Sequence, residues 1–467
     1  MKNPILISIK CPECGAPVRY PEGAYTFKCP YCDSVLRTRT DGLTLKYIIP
    51  STLKQEDILT AIKQIIAEKK GSLRKIKRIK EIKTFYKPFW YFKGIIYSCH
   101  SGGEKHEIDT KILYYTFPAN ASFVGVFQSL GVRSEVLTIE AYDSTLFNEK
   151  EEIIPINVSD EDANKRVEKL AKNSMDVLTD SYGYFKTCII GEKYFIIYYP
   201  VIKVICSDGE YSYTFMLDGI NKNIIEESEG ITNITLPRDE DDKPYRAKLL
   251  SHRCNNCGYD LEPGDFDIIF YCKNCTGTWL LKGENYYSQE VKLIKIDKEK
   301  NTTYIPFWRF ETTVISKPAG INMKTVGDLS KFMKMGQFYL RNEDPERPMR
   351  FFVPALVTRN ARSMIKLAAR IGIYQKKLPI TNREDFSFEK LWNASLLDEE
   401  AEEMLTPIIF LVIGRIDRAA TEFYNDFKVT VSDKQLVYYP FEDQGNFLLD
   451  LFHNYSFPKR SFDLKVY

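Results

Sequence analysis

Four Cys-x-x-Cys pairs constrain this chain more than any other feature: Cys11 and Cys14, Cys29 and Cys32, Cys254 and Cys257, Cys272 and Cys275. Fourteen residues separate Cys14 from Cys29, and fourteen again separate Cys257 from Cys272. Each such turn presents two thiolates about one tetrahedral edge apart and leaves backbone amides free to donate to sulfur, so two knuckles facing each other complete a four-sulfur shell. A fourteen-residue hairpin carries one knuckle back to the other. The spacing predicts two zinc ribbons and two Zn2+ per chain, structural because four thiolates leave no position for water. The same ligands would also serve a tetrathiolate iron centre in electron transfer, which stands as a second reading of the metal.

The flanking residues fit unevenly. Gly15 and Gly258 follow the second ligand of their knuckles, where positive φ closes the turn, but Asp33 and Thr276 occupy that place in the other two. Cys29-Pro30-Tyr31-Cys32 also matches the glutaredoxin redox motif. A companion pair upstream and no amphipathic helix downstream count against that chemistry. With four cysteines already present, His252 reads as a solvated neighbour rather than a ligand.

The two ribbons lie 243 residues apart, and similar offsets recur. Tyr198-Tyr199-Pro200 returns as Tyr438-Tyr439-Pro440. Tyr86-Lys87-Pro88-Phe89-Trp90-Tyr91-Phe92 returns as Tyr304-Ile305-Pro306-Phe307-Trp308-Arg309-Phe310 at a shorter offset of 218, the first copy having about 25 extra residues between ribbon and motif. Asn120 and Asn360 each open an apolar run read as a helix, stopped by Gly131 and Gly372. Helices are further expected over Leu53 to Lys70, with Ile58, Ile62, Ile65 and Ile66 on one face, and over Asp160 to Leu178. The fold class is therefore α+β by tandem duplication, each copy a four-cysteine zinc ribbon followed by a larger mixed α+β domain. The expected divisions are ribbon 1–45, domain 46–236, acidic linker 237–250, ribbon 251–285 and domain 286–467, with each half folding largely by itself. The Pro-Phe-Trp motifs read as strands entering the core, with proline at the start, more readily than as base-stacking surfaces.

Charge narrows the function classes. Against 65 basic residues stand 63 acidic ones, a net +2, so no global field gathers nucleic acid or membrane. The longest uncharged apolar stretch, Pro407 to Gly414, is too short to span a bilayer, and no signal-peptide core is evident, so a cytoplasmic protein without a transmembrane segment is expected. Nucleotide-binding loops, dinucleotide fingerprints, zincin helices and nucleophile elbows are all missing. His100, Glu104 and His106 read as a solvated turn. Asp239 to Asp242 and Asp398 to Glu403 read as surface charge runs. Local basicity is highest from Lys69 to Lys83, where Lys75, Lys77, Arg78 and Lys80 are candidate anion contacts and Ile76, Ile79 and Ile82 would anchor the opposite side.

The knuckles resemble the zinc-ribbon superfamily. The order of a ribbon followed by Tyr-x-Pro-Phe-Trp-x-Phe is similar to a group of bacterial double zinc-ribbon proteins, some labelled after the zinc-binding region of the primosomal helicase PriA. The resemblance implies metal ligation at the eight cysteines and, without a nucleotide-binding loop, no helicase activity. The sequence thus points to a non-enzymatic zinc-binding scaffold or adaptor that binds other proteins through two repeated domains. A nucleic-acid-binding protein using the 69–83 stripe, with weak contact to nucleic acid or an anionic membrane surface, is the alternative.

Overall fold

From Arg78 to Gly102 the sequence is dense in aromatic and β-branched residues, which fill a pleated, half-buried surface better than a helix does. In the computed structural model this run is a single 25-residue strand. It pairs antiparallel with Phe185–Ser207 on one side and with Lys105–Pro118 on the other. The structure describes residues 6–21, 24–39, 44–51, 53–68, 78–102, 105–121, 129–130, 139–143, 151–175, 185–231, 248–264, 266–283, 285–296, 301–334, 344–357, 361–382, 391–413 and 427–462. Among them are a ten-stranded sheet, an eight-stranded sheet and two three-stranded ones, with helices packed on the larger two.

The eight-stranded sheet is built on Thr302–Ser316, antiparallel to Phe427–Asp443 and to Met349–Pro354. Its register matches that of the first sheet. Pro88, Phe89 and Trp90 face Tyr198, Ile197 and Ile196, and Pro306, Phe307 and Trp308 face Tyr438, Val437 and Leu436. A short parallel strand flanks each pair, Leu45–Ile48 beside Phe195 to Tyr198 and Val291–Ile294 beside Leu436 to Tyr438. Both indoles are buried and donate to a carbonyl, Trp90 Nε1 to Val158 at 2.9 Å and Trp308 Nε1 to Leu396 at 2.8 Å. The Pro-Phe-Trp motifs are therefore core.

Neither proline begins its strand, however. The Pro88 carbonyl accepts from Ala119 N–H and that of Pro306 from Ala355 N–H, just past the last residue of each third strand. In an antiparallel ladder a residue's N and O point to the same neighbour, so the missing N–H faces the side where pairing has already ended and costs no ladder bond.

Helix Gln55–Glu68 buries Ile58 and Ile62 against Ile202, Val204 and Phe215, and helix Asp160–Met175 buries Ala163, Val167 and Ala171 against Trp90, Phe92 and Tyr198. Helix Ala361–Tyr374 runs through Gly372 rather than stopping there. A Cβ on Gly372 would lie 2.7 Å from Phe351, so glycine is set by close packing, and the chain leaves the helix at Gln375, φ +45°. The helix expected after Asn120, its stop at Gly131, the start at Asn360 and the acidic residues 239–242 lie outside the described residues.

The expectation of self-contained halves meets two findings. Ile95, Tyr97, Cys99 and Ile108 of the first sheet share one apolar cluster with Ile365, Ile409 and Phe410 of the second half. Residues 248–250, assigned to a linker, lie in strand Lys248–Ser251, which pairs antiparallel with Val35–Arg39 of the first ribbon. Apolar area buried between the halves opposes their separation at about 25 cal/mol per Å². A break of the chain between residues 237 and 244 is accordingly expected to leave two pieces that co-elute in gel filtration. Independent elution of two folded pieces would show that this shared packing does not hold them.

Candidate metal centres

All four knuckles close in the same way. The residue after each second cysteine donates its N–H to the carbonyl of the first: Gly15 to Cys11, Asp33 to Cys29, Gly258 to Cys254 and Thr276 to Cys272. The first cysteine's own N–H then reaches Ala16, Ser34, Tyr259 and Gly277 respectively. These bonds require positive φ at the closing residue, and it is 73° at Gly15, 61° at Asp33, 73° at Gly258 and 58° at Thr276. Asp33 and Thr276 thus adopt the glycine conformation at the steric cost of a Cβ, greatest for β-branched Thr276.

This closure aims the sulfurs inward. Within each set the four Sγ atoms all lie within 4.8 Å of one another. Cys11 and Cys32 are 3.8 Å apart, Cys14 and Cys29 3.9 Å, Cys254 and Cys275 3.6 Å, and Cys257 and Cys272 3.5 Å. Metal–sulfur bonds of about 2.3 Å in a tetrahedron give edges of about 3.8 Å, so both sets fit a four-coordinate metal ion. The eight cysteines predicted as ligands are the eight brought together. Two of each four are buried, while Cys14 and Cys257 are exposed.

Charge makes the same point. Burial pushes the Cys272 thiol up to about 12, while Cys275, helped first by the Asn256 side chain, falls to about 6. Four thiols so close cannot all ionise unaided, and a divalent cation is what permits it. Trp279 Nε1 stands 3.2 Å from Cys254 Sγ and the Cys275 N–H 3.5 Å from Cys272 Sγ, donors that suit thiolate acceptors. Such a shell can staple a fold; it has no open position at which to bind substrate.

His252 is not solvated. Its N–H donates to Val35 across the ribbon junction, and the ring is fully buried, edge-on to Phe270 and bonded to Tyr286 Oη. Burial lowers its pKa to about 4. The strand pairing that joins the ribbons draws it inside. Around it, Thr26 Oγ1 donates to Gly264 O at 2.9 Å and accepts from Gly264 N, and Arg37 lies over the Tyr286 ring, so the two ribbons dock directly.

Of the candidate anion contacts, Lys75 and Lys77 lie outside the described residues, as do the Lys69 to Arg74 part of the stripe and the side chains of His100, Glu104 and His106. Arg78 opens the long strand opposite Ser207. Lys80 sits in a bulge and donates to Ser212 Oγ at 3.0 Å, and Lys83 pairs with Glu152. Ile79 and Ile82 pack inward as expected. The Asp398 to Glu403 run is not a plain surface either. Asp398 is buried and paired with Lys434, Glu400 accepts the Leu397 N–H, and burial followed by Glu192 and Glu400 raises Glu403 to about 7. Sequence reading also missed a basic cavity in the second half, whose residues are scattered from Arg309 to His453 with no local signature.

Comparison with protein-family models, with curated proteins and with solved structures gave no match. Among the described residues, no helix is long and apolar enough to cross a membrane.

Proposed function

We propose that the chain is a non-enzymatic, zinc-stapled scaffold of the zinc-ribbon kind that binds other proteins through two repeated α+β halves. The reading rests above all on the two closed four-sulfur shells, which supply cross-links and no reactive centre. Matching sheet registers and matching indole-to-carbonyl bonds support descent of the halves from one duplicated unit. Aromatic rings at the ribbon tips support a partner-binding role: Tyr31, inside a knuckle, is 64% exposed, and Tyr259, just past another, 51%. Thiolate ligation suits a reducing compartment, in keeping with a cytoplasmic protein.

Protein purified without added metal is expected to contain two zinc ions per chain and no colour. One equivalent, or iron with visible charge-transfer absorption, would overturn the zinc staple. Nucleic-acid affinity at physiological salt is expected to stay within the non-specific range of about 10⁻⁴ to 10⁻⁶ M. Tighter binding that is lost on changing Lys75, Lys77, Arg78 and Lys80 to Glu, with both metals retained, would move the chain to the nucleic-acid reading.

A further inference from the structure

On one face of the eight-stranded sheet, Arg309 stands opposite Phe352, and Arg350 opposite Glu311. Helix Ala361–Tyr374 packs on the sheet and ends at Gln375, whose side chain is fully engaged with Arg350 N, Arg350 O and Gly372 O at 2.7 to 3.1 Å. The turn after strand Phe447–Asp450 brings in His453, held through Nδ1 by Asp450 Oδ2 at 2.8 Å. Between these elements lies a cavity of about 130 Å³. Six cationic or ionisable nitrogen side chains line it, Arg309, Arg347, Arg350, Lys376, Lys377 and His453, and no carboxylate does.

Arg309 and Arg350 are held in place with one donor each to spare. Arg309 and Arg350 each give a terminal nitrogen to a carboxylate outside the lining, Asp433 at 3.2 Å and Glu311 at 3.3 Å. Their Nε atoms are buried without a partner, and so is His453 Nε2. Buried N–H groups are nearly always paired in folded proteins, so the two arginine Nε–H groups at one cavity point to an acceptor supplied from outside the chain. Arg309 is only 11% exposed, and its guanidinium is disfavoured by burial and then by the charge of Arg350, a repulsion that an anion would relieve.

The charges are not needed to build such a sheet. At matching register in the first half, Tyr91 faces Thr116 and Lys93 faces Tyr114. Asp218 accepts from Tyr199 as Asp450 does from Tyr439, but Asn221 stands where His453 does. Among the described residues, Arg309, Arg350 and His453 have no basic counterpart at the matching positions of the first half, which hold Tyr91, Tyr114 and Asn221.

We propose that this cavity binds a phosphate group. Its 130 Å³ equals about four water volumes of ~30 Å³. Pockets for whole drug-sized ligands run from about 300 Å³ upward, so the cavity takes the tetrahedral oxyanion itself. Guanidinium forks match phosphate oxygens in pairs, and lysines at the rim add charge. The group enters either as free inorganic phosphate or as the end of a phosphate monoester whose remainder stays outside.

The full chain, with metal content checked, would be titrated calorimetrically with inorganic phosphate, with glycerol 3-phosphate and with chloride. One phosphate per chain is expected, with no heat from chloride at equal ionic strength and a Tm that rises with phosphate concentration. Stronger binding of the ester than of phosphate would identify a monoester as the ligand; equal or weaker binding would identify the free ion. Arg309→Gln should weaken binding about tenfold or more, and the exposed rim variant Lys376→Gln by a smaller factor. If Arg309→Gln fails to fold, Lys376→Gln and the wild-type Tm response decide. Absence of phosphate heat and of any Tm rise up to about 10 mM, or unchanged affinity in the variants that fold, would overturn the assignment.

Discussion

Cys257→Ser is expected to remove one metal ion per chain and to unfold the second ribbon, although Cys257 is exposed and serine is nearly its isostere. On burial grounds alone that substitution would be close to neutral. At one corner of a four-sulfur shell, it removes a ligand from a module whose own apolar core is six buried residues, Cys254, Leu261, Phe270, Cys272, Leu281 and Tyr286. A core of that size does not hold itself. Metal-binding free energy, about 10–16 kcal/mol for structural zinc in isolated fingers, is folding free energy for such a unit. Loss of even about 5 kcal/mol lowers Tm by roughly 10–20 °C in a domain of this class. The effect should spread, because Ile268, Ile269 and Leu280 of the ribbon pack into the cluster shared with the second sheet. Elemental analysis with limited proteolysis checks this, and the buried Cys206→Ser serves as a control that keeps both metals. Two metals and an unchanged digest in Cys257→Ser would refute the staple.

Trp308→Ala is expected to cost about 3–5 kcal/mol through the cavity it leaves, with the Leu396 carbonyl also losing its donor. Trp308→Phe keeps most of the volume and loses the indole N–H, so it should cost only about 1–3 kcal/mol. Trp90, donating to Val158 in the first sheet, should show the same ordering of its two variants. Denaturant melts with unchanged metal content measure both series. A stability loss near zero at Trp308 would mean that the ring is not the core element its burial indicates.

How much of this was legible in the sequence depended on range. The cysteine shells were, because each knuckle closes within six residues and its spacing states its geometry. The inward faces of Gln55–Glu68 and Asp160–Met175 were, because helical periodicity is local. Gly372 misled because a glycine near a helix end reads as a stop, while its actual constraint is Phe351, which comes from another strand. His252 misled because its burial follows from Val35, more than two hundred residues away. The Asp398 to Glu403 run looked like surface because Lys434 and Glu192, which face it, are not neighbours in sequence. Nothing local joins Arg309, Arg350 and His453.

The pairing of Lys248–Ser251 with Val35–Arg39 has a consequence for synthesis of the chain. At about 5–20 residues per second, the ribosome needs roughly 10–40 s after Arg39 to deliver Ser251. Throughout that interval the nascent first ribbon carries an open edge, Val35 to Arg39, that could zip onto any passing strand. Arg37 and Thr38 make that edge cationic and polar, the usual protection against such templating. Each newborn chain therefore waits with a guarded seam until its own distant segment emerges to close it.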